Sequence, residues 1–130
     1  MATVETAVGA RLAATAAVTA ITSTRIFAEH LPDDEVLESV TFEMIDAERE
    51  HSFGADTGNV QSLFEVTSYA AKKVEAKTLA VAVHSALSRW SGTQSGVTID
   101  ASFLEGSRDE FDPETRMHTV ISDFTIWSRE

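Results

Sequence analysis

From Ser68 to Trp90 the chain reads SYAAKKVEAKTLAVAVHSALSRW, and no other stretch constrains the fold as strongly. Ala76, Leu79, Ala80, Val83, Leu87 and Trp90 recur at the i, i+3, i+4, i+7 spacing of a helix with one buried stripe. Lys72, Lys73, Glu75 and Lys77 lie mostly off that stripe. Ser68 stands where an N-cap is expected. SGTQSG, with Gly92 and Gly96, supplies the turn that ends the helix. A stripe of this length needs an apolar layer to lie on.

The runs on either side supply that layer, because they change from a helical to a two-residue period. In SVTFEMIDAE, Val40, Phe42 and Met44 face one way, Thr41 and Glu43 the other. HSFGADTGN reads as a loop, and VQSLFEVTS then places Val60, Phe64 and Val66 inward. After the helix, VTIDASFLE puts Val97, Ile99, Ala101 and Phe103 on one face. HTVISDFTIWS puts Val120, Phe124 and Ile126 inward, with Ser122 between them, and Thr119, Asp123 and Thr125 outward.

Ahead of all this, residues 3 to about 17 read as a helix. Thr3 caps it, Glu5 suits its first turn, and Val4, Ala7, Val8 and Leu12 share a face. AVTAITSTRIF leaves room for a short second helical turn. Four half-buried strands need cover on one face. The expectation is therefore an α+β fold: a mostly antiparallel four-stranded sheet with two helices packed on one face, in the order α-β-β-α-β-β. Residues 1–130 fit a single domain of ordinary size.

Charge narrows the function. Ten basic residues against 21 acidic give a formal net charge of −11. Tight binding to a phosphate backbone needs the opposite balance, and an anionic membrane is an equally poor partner. The apolar N-terminal run is too short and too interrupted for a membrane span, and Glu5 sits where an export signal would be positive. With no cysteine, disulfides, thiolate metal sites and a cysteine nucleophile are excluded.

Chemistry is hard to find in the remainder. Asp109, Glu110, Asp112 and Glu114 crowd near His118, as an acid–base site would. However, Asp112-Pro113-Glu114-Thr115 has the makings of a type I turn, and water at a hairpin tip screens such carboxylates. His30, His51, His84 and His118 show no metal-ligand spacing. No phosphate loop, dinucleotide fingerprint or nucleophile elbow occurs. We therefore assign no catalytic residue, no metal and no cofactor. Two aromatics suggest contact instead. Phe53 falls in a glycine-containing loop. Trp127 lies on the polar face of the last strand, as either a covered edge or an interface anchor.

The ordered set of an alanine-rich first helix leading to AVTAITSTRIF, a strand–loop–strand unit, the helix SYAAKKVEAKTLAVAVHSAL and the closing RDEFDPETRMHTVISDFTIWSRE resembles the phage tail completion proteins. The sharpest parts are RIF, Arg108-Asp109 with Phe111, the DPET turn and SDFTIW. The resemblance covers nearly the whole chain. It implies a structural virion protein, with no reaction and no cofactor. Such a protein forms a ring, typically six-fold, at the head-proximal end of a tail, where it stops tube polymerisation and joins tail to head connector. Its partners would be copies of itself, the tail tube protein and the head–tail connector or adaptor proteins. DNA would pass through the ring without tight binding. A head–tail adaptor or a tail-tube subunit is the alternative, and a small enzyme using the acidic turn is a third. Family members often carry glycine just after the proline turn, where this chain has Arg116, a residue that takes positive φ less readily. The loop 48–59 and the tip Arg108–Arg116 are expected to reach neighbours, which makes Arg49, Phe53, Arg108, Asp109, Phe111, Arg116 and Trp127 the candidate contact residues.

Overall fold

The computed structural model describes residues 3–32, 38–52, 55–114 and 116–129. Helix α1 (Val4–Ala14) starts at Thr3, whose hydroxyl accepts from the Thr6 N–H at 3.2 Å. It buries Ala7, Val8 and Leu12. Gly9 lets it approach the sheet closely, since a Cβ there would stand 2.9 Å from Cζ of Phe42. At Thr15 the backbone turns extended, and the Thr15 N–H donates to the Leu12 carbonyl at 3.2 Å. The chain bends by 79° into α2 (Ala16–Thr22), which buries Val18 and Thr22. No single helix among the described residues is long and apolar enough to cross a membrane.

The strands form one mixed sheet that curls into a half-barrel, in the order β1-β2-β3-β6-β5-β4. Its strands are β1 (Ile26–Ala28), β2 (Ser39–Ser52), β3 (Ala55–Ala70), β4 (Gly92–Gln94), β5 (Val97–Asp112) and β6 (Met117–Arg129), with α3 (Lys73–Leu87) between β3 and β4. β1 runs parallel to β2, and the other neighbours are antiparallel. The main core joins the helices to one sheet face: Val8, Leu12 and Val18 from α1 and α2, Leu79, Val83 and Leu87 from α3, and Val40, Phe64, Val66, Phe124 and Ile126 from the strands. Each large aliphatic side chain buried there contributes about 1.5–3 kcal/mol.

This architecture corrects the four-stranded, two-helix expectation. β1 and β4 are three residues each, too short to show a period. β1 is held in place by Arg25, whose Nε donates to the Glu38 carbonyl at 2.8 Å and whose Nη2 donates to Ile21 at 3.2 Å. β4 folds onto β5 through Ser95 (φ 52°) and Gly96 (φ 80°), flanked by the pair Gln94 and Val97. Two consecutive positive φ values mark the primed turn whose twist suits a hairpin.

Three local expectations also fail. Ser68 caps nothing: it is a buried member of β3, opposite Val120 on β6. The helix begins at Lys73, with Lys72 at the cap position and no side-chain cap bond. The described part of the expected loop at 51–59 is strand, because β2 and β3 continue pairing to Ser52 and Ala55. Phe103 points away from the core and is 43% exposed. A bulge at Asp100 shifts the register of β5, and Ser102 and Leu104 turn inward in its place.

Candidate interaction surface

Strand alternation gives the sheet a second face, away from the helices. Across β3, β6 and β5 the register places Gln61, Trp127 and Ala101 in one row, and Leu63, Thr125 and Phe103 in the next. A further row runs Glu43, Glu65 and Asp123 across β2, β3 and β6. Like charges directly opposite on adjacent strands repel. Arg108 offsets this: its guanidinium lies 3.5 Å from both Glu65 and Asp123, bridging the carboxylates of two strands from a third. These groups are partly solvated, so the bridge contributes at most about 1 kcal/mol.

Asp109, the next residue on β5, turns to the helical side. Its carboxylate lies 2.7 Å from Nζ of Lys77 and 3.9 Å from that of Lys73. The hydrogen bond from Lys77 holds its pKa below the ordinary carboxylate value, and the charges of Lys77 and Lys73 add to this. Lysines in the opening turns of a helix oppose its dipole, and Asp109 supplies the missing negative charge there. Near the opposite end of the sheet Arg129 meets Asp100 at 2.9 Å, and that hydrogen bond raises the arginine's pKa.

The β5–β6 turn is built from Asp112 to Arg116. The Asp112 carboxylate accepts the Glu114 N–H at 2.9 Å, and its carbonyl accepts the Arg116 N–H at 2.7 Å. Arg116 takes φ 59°, the left-handed conformation that glycine adopts without strain. Thr115 lies outside the described residues. Phe111 leaves about half its surface exposed, with its ring 5.0 Å from that of His118. The acidic stretch is thus a strand end and a turn. Among the described residues no group of three histidine, aspartate or glutamate side chains converges to hold a metal. His84, on α3, has Nε2 2.8 Å from the Ser122 hydroxyl, and burial lowers its pKa below 6.5.

Of the candidate contact residues, Arg108, Asp109, Phe111 and Arg116 come together along one hairpin, although Arg108 and Asp109 point to opposite faces. Trp127 is half-buried on the open face, and Arg49 is exposed on β2 opposite Val60. Both lie near the other end of the sheet, about 30 Å away at ~3.3 Å per residue. Phe53 falls outside the described residues. Sequence reasoning missed four exposed apolar residues: Ile45, Phe103, and Val74 and Val81 on α3. A sign was present for the first two. Met44-Ile45 and Phe103-Leu104 are apolar doublets within alternating runs, and a register shift falls at or near each.

The long hairpins and the one-sided helical cover define a mixed α+β fold that leaves one sheet face open. The sequence matches the tail completion protein gp17 family over residues 6–129. The chain therefore belongs to that family and is a structural protein of the virion tail. A chain from a structure described as "Virion of native gene transfer agent (GTA) particle" has the same fold. The TM-score is 0.81 at 17% identity, over 97% of this chain and 94% of that one. No curated protein matches in sequence.

Proposed function

We propose that copies of this chain, each acting as one domain, close into a ring at the head-proximal end of the tail. There they end polymerisation of the tail tube and join it to the head connector. The observation that supports this reading best is the family match, which runs over residues 6–129. Six copies are the expected number, and the particle is a phage or a gene transfer agent. The partners are the neighbouring copies, the tail tube protein and the connector or adaptor proteins above it.

The physical properties agree with this role. A ring around a passing genome has to avoid holding it, and a subunit of net charge −11 repels phosphate when its carboxylates line the channel. Contacts within a ring are heterologous, so each subunit needs two different patches. The two groups of contact residues, Arg108, Asp109, Phe111 and Arg116 at one end and Arg49 and Trp127 near the other, are suited to that arrangement.

The test is to add purified protein to elongating tail tubes. The reading expects the protein at one end of each tube and elongation to stop. Unchanged elongation with bare ends would contradict it, and protein incorporated along the tube would favour a tube subunit.

A further inference from the structure

The geometry points to a knob-and-socket contact between copies: Phe111 of one chain enters a cavity in the next. The cavity lies beside the N-terminus of α1 and has a volume of about 630 Å³. Val4, Met44, Val60 and Val97 give it apolar walls. Ser62 also lines it, and the Ser62 hydroxyl is buried without a hydrogen-bond partner. Arg49 and Arg129 stand among the lining residues with Glu5. Arg129 pairs with Asp100, but its side chain stays 63% exposed.

The knob has matching chemistry. Phe111 is a half-exposed aromatic near the end of β5, where Glu110 and Asp112 beside it point to the opposite face of the strand and Glu114 lies just beyond on the turn. An aromatic filling an apolar pocket within a charged rim is the usual form of an interface hot spot, and here the guanidiniums of the rim complement the acidic hairpin end that carries the aromatic. A chain cannot fill its own socket. β5 starts at Val97 on the cavity wall and reaches Phe111 fourteen residues later, about 45 Å away at ~3.3 Å per residue. The occupant is therefore a second copy, and the contact is head-to-tail, as a ring requires.

This inference rests on the ring proposed above, and its test separates the two. Phe111→Ala removes the knob and keeps the socket. Ala47→Trp plugs the socket, which Ala47 lines, and keeps the knob. Masses of wild type, each variant and their mixture are measured in solution, with thermal melts as the check on folding. Wild type is expected to assemble, each variant to stay monomeric, and the equimolar mixture to stop at one-to-one dimers. Glu110→Lys, on an exposed strand end, is expected to weaken assembly at least tenfold without requiring the plugged variant to fold. Phe111→Ala that assembles like wild type overturns the knob and leaves the ring standing. Wild type that remains monomeric at every concentration overturns both.

Discussion

β5 and β6 are neighbours of similar length, yet they obey their sequences to different degrees. β6 lies inside the sheet, paired on both sides, and holds one register from Met117 to Arg129 without interruption. From Val120 onward its even-numbered residues Val120, Ser122, Phe124, Ile126 and Ser128 are all buried, and from Ser122 onward burial alternates strictly. β5 pairs with β6 along its length, but its other side meets β4 only at Val97–Ile99. It shifts register twice, between Ile99 and Ala101 and between Leu104 and Gly106. A strand paired on both sides cannot gain a residue without disrupting two ladders, whereas an outer strand disrupts one. The lesson is that alternation predicts facing where neighbours enforce it.

Replacing aromatics on the two strands tests that contrast. Phe124→Ala on β6 removes a fully buried ring and should cost about 3–5 kcal/mol in denaturant unfolding. Phe103→Ala on β5 is the counterpart, and its expected cost is below about 0.5 kcal/mol, because the ring is on the open face. A loss at Phe103 approaching that at Phe124 would place it in the core and remove the bulge from the account.

The turn joining the two strands gives the next largest effect. Arg116 holds a conformation that suits glycine, so Arg116→Gly should raise stability by about 1 kcal/mol, seen as a higher melting temperature. A loss would mean that the Arg116 side chain holds the turn by contacts outweighing the backbone strain.

A smaller effect is expected at Ser68, opposite Val120 of β6. Its hydroxyl is buried and unpaired, so Ser68→Ala should be neutral or stabilising by up to about 1 kcal/mol. A helix cap would instead lose about 1 kcal/mol, so the sign of the change decides between strand and cap.

The least effect comes from protonation against β6. Burial lowers the pKa of His84, beside Ser122. The unfolded chain therefore binds the proton more readily below pH 6.5, and folding stability falls as pH drops from there through the folded value. His84→Gln should flatten that part of the profile. A profile as steep as the wild type's would assign the pH dependence to other groups.

These pairs also show how much was legible. The stripe Leu79, Val83 and Leu87, the inward set Val40, Phe64, Phe124 and Ile126, and the Thr3 cap all follow from period and capping chemistry in the sequence. β1 and β4 could not be read, since three residues carry no period. The facing of Phe103 depends on a bulge, which is a property of pairing. At the candidate surface, Phe111 and Arg116 could be placed on the hairpin from sequence. The bridge from Arg108 to Glu65 and Asp123, and the cavity between α1 and the strands, join residues that only the folded sheet brings together.

The most direct test is an electron cryomicroscopy reconstruction of the assembled particle with this chain located in its density. The account predicts one ring of copies between the tail tube and the head. The same chain repeated along the whole tube, or missing from the junction, would contradict it.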